Sequence, residues 1–226
     1  MAGETLKLSE IQAVTFDVGG TLIEPWPSVG HVYAGVAARH GLKNFSPEQL
    51  NARFKNAWRA RRTFRHSRNE WDELVTEVFG GTLPPGFFAE LYDRFAEPDA
   101  WHIYEDVVPA LELLASREIK LAIISNWDER LRPLLGKLKL DHYFKTFSIS
   151  LEVGFAKPSP LIFGHAAKAL GLEAGSILHV GDSPEMDVAG ATAAGFQAIQ
   201  IRRGFSNPKT GIHSLAELAV VNTGHT

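Results

Sequence analysis

Apolar positions along this chain follow two periods. Residues 11–17 form a short, partly β-branched apolar run ending in Asp-Val-Gly-Gly-Thr, which predicts a buried strand entering a tight loop. Comparable runs at 119–125, 177–181 and 197–201, and a weaker one at 146–150, predict four more strands. Between the later runs the period becomes helical. Val108, Leu111, Leu114 and Ala115 share one face over 107–117, and 160–170 and 185–194 behave similarly. Strands alternating with helices predict an α/β fold with a doubly wound, Rossmann-like parallel sheet.

From Thr21 to about Trp101 the texture differs. No good strand is legible there. Helical patterns fall at 29–40, 47–62, 69–79 and 87–95, punctuated by Gly41, Gly80-Gly81 and Pro84-Pro85-Gly86. The expected organisation is an α/β core from 1–23 and 102–226, with an all-helical subdomain inserted over 24–101.

Composition removes several function classes. The chain has 226 residues, 45% hydrophobic and 22% charged, which argues against disorder. Its net charge of −3 supplies no field for a nucleic-acid backbone. With no cysteine, disulfides, thiolate metal sites and a Cys nucleophile are all excluded. No stretch has the length and apolarity of a membrane span, and residues 1–7 lack a signal-peptide core. A soluble cytoplasmic protein is expected, with neither nucleic-acid nor membrane partners and an oligomeric state left open.

Ligands on open α/β sheets bind beyond the carboxyl ends of the strands, so Asp17, Ser125 and Asp182 should meet in one crevice. Asp17 precedes Gly19-Gly20, where the backbone can approach a ligand closely. Its carboxylate suits a nucleophile or a Mg²⁺ ligand, or simply a strand-end group bonding loop amides. Ser125 and Asn126 can hold an anionic oxygen or cap a helix. Lys157, fixed before Pro158, can neutralise charge on a transferring phosphoryl group or lie solvated in its loop. Asp182 and Asp187 flank a strand-to-helix turn, which suits either Mg²⁺ or capping.

The order and spacing of these positions resemble the haloacid dehalogenase (HAD) superfamily over nearly the whole chain. Residues 17–21 correspond to its first motif, Ser125 to the second, Lys157 to the third, and Asp182 with Asp187 to the fourth. The helical insert resembles the C1 cap of the haloacid dehalogenase and phosphoglycolate phosphatase subfamily. The resemblance implies a Mg²⁺-dependent hydrolase acting on a small anionic substrate, most simply a phosphomonoesterase. Asp17 is then the nucleophile that forms an aspartyl-phosphate. Asp17, the Gly19 carbonyl and Asp182 hold Mg²⁺. Ser125, Asn126 and Lys157 bind the phosphoryl oxygens, and Asp187 orients Lys157 or a metal-bound water.

One position departs from the pattern. Phosphatases of the family carry a second Asp two residues after the nucleophile, and Gly19 stands there. A glycine cannot donate a proton, and general acid–base help is typically worth ~10²–10⁴ in rate. Substrates with good leaving groups, such as acyl or aryl phosphates, evade that loss. Glu24 or an insert side chain is a possible substitute acid. The alternatives are a dehalogenase or phosphonatase-type hydrolase using Asp17, or an impaired binding protein. Dehalogenation needs no metal, which leaves Asp182 and Asp187 unexplained, and the dehalogenases place Tyr at the Gly19 position. The phosphonatase reading needs an insert lysine, and Lys55 is the candidate. A basic run holding Arg53, Lys55, Arg59, Arg61, Arg62, Arg65 and Arg68 is expected to be mainly a solvated face, some of which attracts anions. The nine histidines form no metal-binding pattern.

Overall fold

The computed structural model describes residues 11–61, 63–204 and 211–220. The chain runs β1 (Ala13–Phe16), β2 (Ile23–Pro25), α1 (Val29–Arg39), α2 (Pro47–Ala60), α3 (Arg68–Phe79), α4 (Phe87–Arg94), β3 (Trp101–Ile103) and α5 (Val107–Ser116). It continues with β4 (Lys120–Ser125), α6 (Leu131–Lys137), β5 (Thr146–Ile149), α7 (Ser150–Val153), α8 (Pro160–Leu170), β6 (Ile177–Gly181), a π-helical turn (Pro184–Ala189), α9 (Gly190–Ala193) and β7 (Gln197–Gln200).

Five strands form a parallel sheet in the order β5-β4-β1-β6-β7. β1 lies between β4 and β6, with Phe16 opposite both Ile123 and Val180. Every residue of β1 is buried, as expected of a parallel strand covered on both faces. Alternation sorts the side chains. Val14, Phe16, Leu121 and Ile123 pack with α5 and α6, while Ala13, Ala122 and Ile124 face α8 and α9.

The helical stretch is α1–α4. Ser46 and Ser67 close capping boxes at the starts of α2 and α3 with Gln49 and Glu70. The four helices share their own apolar cluster, which includes Val36, Leu50, Leu74 and Phe87. Sequence reading missed β2, which pairs antiparallel with β3 at the base of this unit. At three residues each, neither strand is long enough to display an alternating pattern. Helix α2 ends at Ala60 rather than 62, and Arg62 lies outside the described residues. The pattern at 185–194 is a π-turn followed by a short helix. Among the described residues, no helix is long and apolar enough to cross a membrane.

Candidate active site

Parallel pairing delivers the chemistry. β1, β4 and β6 are adjacent and end in register, so Asp17, Ser125 and Asp182 emerge side by side at the carboxyl edge. The Asp17 N–H donates to the Val180 carbonyl at 2.9 Å, carrying the ladder up to the carboxylate. Ser125 Oγ donates to Asp17 Oδ1 at 2.9 Å. Lys157 Nζ donates to the same oxygen at 2.6 Å and to Asp187 Oδ1 at 2.5 Å. Asp17, Lys157 and Asp187 are all buried.

Each member is held from behind. The Asn126 side chain accepts from the Lys157 N–H at 2.7 Å and donates to the Lys157 carbonyl at 3.0 Å. Its amide is thereby committed, so an Asn126 contact with an anion would use the main chain. Asp187 Oδ2 accepts from the Ser183 N–H at 2.9 Å, and Oδ1 also receives His179 Nε2 at 3.1 Å. The Thr15 hydroxyl meets His179 Nδ1 at 2.9 Å. This set suits a neutral ring whose Nε2–H donates to Asp187. Burial also pushes His179 toward its neutral form, against the pull of Asp187.

Three carboxyl groups face one ammonium. Burial raises Asp17 above its ordinary value, opposed by Lys157 and reinforced by the Asp187 charge. Burial alone would raise Asp187 too, but the Lys157 ammonium and the His179 hydrogen bond hold it well below the carboxylate range. Lys157 is raised because its two carboxylate partners outweigh its own desolvation. Asp182 is open to water from the cleft yet walled by protein. That surrounding protein, with the charges of Asp17 and Asp187, pushes it up to about 7.

Oxygens of Asp17, Asp182 and Asp187 lie within 4.8 Å of one another. Asp187 is saturated by donors, whereas Asp17 Oδ2 and the Asp182 carboxylate accept no side-chain hydrogen bond among the described residues. Uncompensated oxygen donors of this kind fit a hard divalent cation such as Mg²⁺. Gly20 keeps the approach open. It has φ +74°, and a Cβ there would sit 2.7 Å from Asp182 Oδ2.

The cleft above these groups has a volume of about 720 Å³ and reaches the insert. Its far wall is aromatic, with Trp58, Phe64 and Trp71 prominent. A Cβ on Gly19 would lie 3.3 Å from Trp127 Cζ3, so an indole ring occupies the neighbourhood of the missing side chain. Among the described residues lining the cleft, the only carboxyl groups are Asp17, Asp182 and Asp187. Glu24 does not line it and accepts instead from the Tyr104 hydroxyl at 3.2 Å. Lys55 and Arg59 are exposed outside the cleft, whereas Arg61 and Arg65 line it.

Sequence reading missed the polar tie between the strand-end loop and the insert. Buried Asp128 accepts from Arg130 at 2.5 and 2.8 Å and from Trp71 Nε1 at 2.9 Å. Arg130 donates to the Tyr92 carbonyl at 2.8 Å, and its guanidinium lies 3.5 Å from the Tyr92 ring centre. His179 is absent from the predicted site residues, although a histidine inside an apolar strand signals a buried partner. His66 is absent from them as well. It is 7% exposed on the cleft wall, and burial lowers it to about 4.

Residues 11–195 match the family model of haloacid dehalogenase-like hydrolases. The human haloacid dehalogenase-like hydrolase domain-containing protein 3 is 31% identical, covering 85% of this chain and 82% of its own. A phosphoglycolate phosphatase of Chromobacterium violaceum is also 31% identical, covering 94% and 97%. A HAD phosphatase structure from Thermococcus onnurineus is 29% identical with a TM-score of 0.67, covering 92% and 96%. A dehalogenase structure at 23% identity shares the fold with a TM-score of 0.73, covering 95% and 98%.

Proposed function

The chain belongs to the haloacid dehalogenase-like hydrolases, and we propose that it is a Mg²⁺-dependent phosphomonoesterase working through Asp17 on a small anionic substrate. The observation that carries this reading is the shared use of Asp17 Oδ1. Ser125 and Lys157 both donate to it, which places a hydroxyl and an ammonium beside the point where a phosphoryl group would be attacked. Lys157 cannot drift, because Asp187 and Asn126 hold it. Such fixed donors stabilise developing charge with little reorganisation.

In this reading Asp17 attacks phosphorus and the leaving oxygen departs on the opposite side. An aspartyl-phosphate results, and water then hydrolyses it. Ser125 and Lys157 hold the non-bridging oxygens in both steps. Asp17, the Gly19 carbonyl and Asp182 would hold Mg²⁺, with Asp187 supporting Lys157. When bound, the ion supplies charge neutralisation for the phosphoryl group. The helical unit acts as a cap that shapes the space for the leaving group.

A carbon–halogen hydrolase using Asp17 is the second reading. The apolar cleft wall favours it, and the clustering of the Asp182 carboxylate with Asp17 and Asp187 counts against it. The test is nitrophenol release from p-nitrophenyl phosphate with Mg²⁺, with chelator, and with Asp17→Asn. Turnover requiring both the ion and Asp17 is expected. Halide release from 2-haloacids in the presence of chelator, without phosphatase activity, would overturn the phosphatase reading.

A further inference from the structure

In-line displacement sends the leaving group away from Asp17, toward the far side of the cleft. Aromatic rings line that side without a break. Ring centres are 5.2 Å apart from Trp127 to Trp101, 5.7 Å from Trp101 to Phe95 and 6.0 Å from Phe95 to Tyr33. The path goes on to Phe54 at 5.9 Å and from Phe54 to Trp58 at 5.9 Å. All six rings border the cleft. It begins beside Gly19, where the Trp127 ring closes on the glycine, and it ends on the insert. Trp58 is 38% exposed although it stacks on both Phe54 and Trp71. Trp58 also lines the cleft, so the edge of this stack borders the space a substrate would enter.

The polar inventory points the same way. An alkoxide leaving group needs a proton as its bond to phosphorus breaks. Among the described residues the cleft offers no spare carboxylic acid, since its three carboxyl groups already serve the phosphoryl end. Lys157 is committed to Asp17 and Asp187. A phenolate is far more stable than an alkoxide. The conjugate acids differ by roughly 5–6 pKa units, taking ~10 for a phenol and ~15.7 for water as the alcohol-like reference. A phenyl ester can leave without a donor, and its ring is the shape the wall accepts.

Resting on the phosphatase reading, we propose that the substrate is an aryl phosphate, whose ring lies against the Trp58 side of the cleft and leaves as a phenolate. The Asp17 carboxylate forms its bond to phosphorus while the P–O(aryl) bond breaks. The bonding pair leaves on the phenolate oxygen, which takes its proton from solvent. Water then splits the aspartyl-phosphate into Asp17 and inorganic phosphate. No oxidant or co-substrate is needed. Gly19 and the aromatic wall thus serve one choice of substrate.

The experiment compares kcat/KM, with Mg²⁺, for four probes. 1-Naphthyl phosphate and phenyl phosphate carry rings. Acetyl phosphate is activated but has no ring, and glycerol 3-phosphate has neither property. The aryl esters are expected to exceed glycerol 3-phosphate by ~10³-fold, within the span attributable to a missing general acid. 1-Naphthyl phosphate should exceed phenyl phosphate by about 10-fold through added stacking, the scale of ring stacking by alanine substitution. Trp58→Ala should lower the ratio of naphthyl to acetyl turnover by about 5–10-fold, and Trp58→Leu by less. If a Trp58 variant does not fold, naphthyl phosphate binding to Asp17→Asn, read by quenching of tryptophan fluorescence, replaces it. Binding no tighter than that of glycerol 3-phosphate would overturn the proposal. Acetyl phosphate turnover with no advantage for a ring would overturn it too, and would leave the phosphatase reading standing. Glycerol 3-phosphate matching the aryl esters would do the same. Failure of all four probes would remove the phosphatase reading and this proposal together.

Discussion

The floor of the cleft and its roof are built on opposite principles. On the floor, Asp17, Ser125, Lys157 and Asp187 bond one another at 2.5–2.9 Å, and Asn126, His179 and Ser183 brace them. The roof side is mostly ring edges and faces, and His66 Nδ1 has no hydrogen-bond partner there among the described residues. A fixed lattice of donors is useful where the charge distribution of the reaction is the same every turnover. A wall of rings, with Arg61 and Arg65 among them, discriminates mainly by shape and area.

The largest effect tests the floor alone. Asp17→Asn should reduce phosphate release by at least about 10⁴-fold, as loss of a nucleophile does elsewhere, with the fold retained by circular dichroism. Residual turnover within tenfold of wild type would break the assignment of chemistry to the floor. Next, Lys157→Met should cost about 3–5 kcal/mol in denaturant unfolding, because it strands two buried carboxylates. A further Asp187→Asn change should recover part of that loss.

A third prediction concerns the roof. His66 is held near 4 by burial, against about 6.5 in an unfolded chain. Between those values the unfolded state binds a proton that the folded state refuses, so this contribution is complete above about 6.5 and is lost as pH falls toward 4. Its full size is about 3 kcal/mol. His66→Asn tolerates the φ of 63° at this position and should flatten the pH dependence of urea unfolding between pH 6.5 and 5. An unchanged slope would mean that His66 does not carry it. The smallest effect tests the join. Trp71→Phe removes one hydrogen bond to Asp128 while Arg130 stays paired, for about 1–2 kcal/mol, and should alter KM more than kcat.

The floor was legible in the sequence, and much of the roof was not. Asp17, Ser125 and Asp182 could be placed together because strands with buried apolar patterns announce their own ends, and parallel pairing aligns those ends. Lys157 and Asp187 came through family resemblance more than through local pattern. Asp128 and Arg130 were invisible because their roles depend on contacts with Trp71 and Tyr92, 57 and 38 positions away in the insert. β2 and β3 are likewise fixed by a partner nearly eighty residues distant, not by a local signal. Glu24 looked available as an acid only until its pairing with Tyr104 placed it off the cleft.

The chain from Ser125 to Arg130 joins the floor of the cleft to its roof. Ser125 donates to the Asp17 carboxylate, and a few residues later Asp128 and Arg130 clasp α3 and α4. A strut this short transmits force. A ligand pressing on the roof would bear on the segment from which the floor hydroxyl is hung. Affinities measured for the two halves of a substrate, taken separately, will therefore not sum to the affinity of the whole, and the surplus or deficit measures the stiffness of that strut.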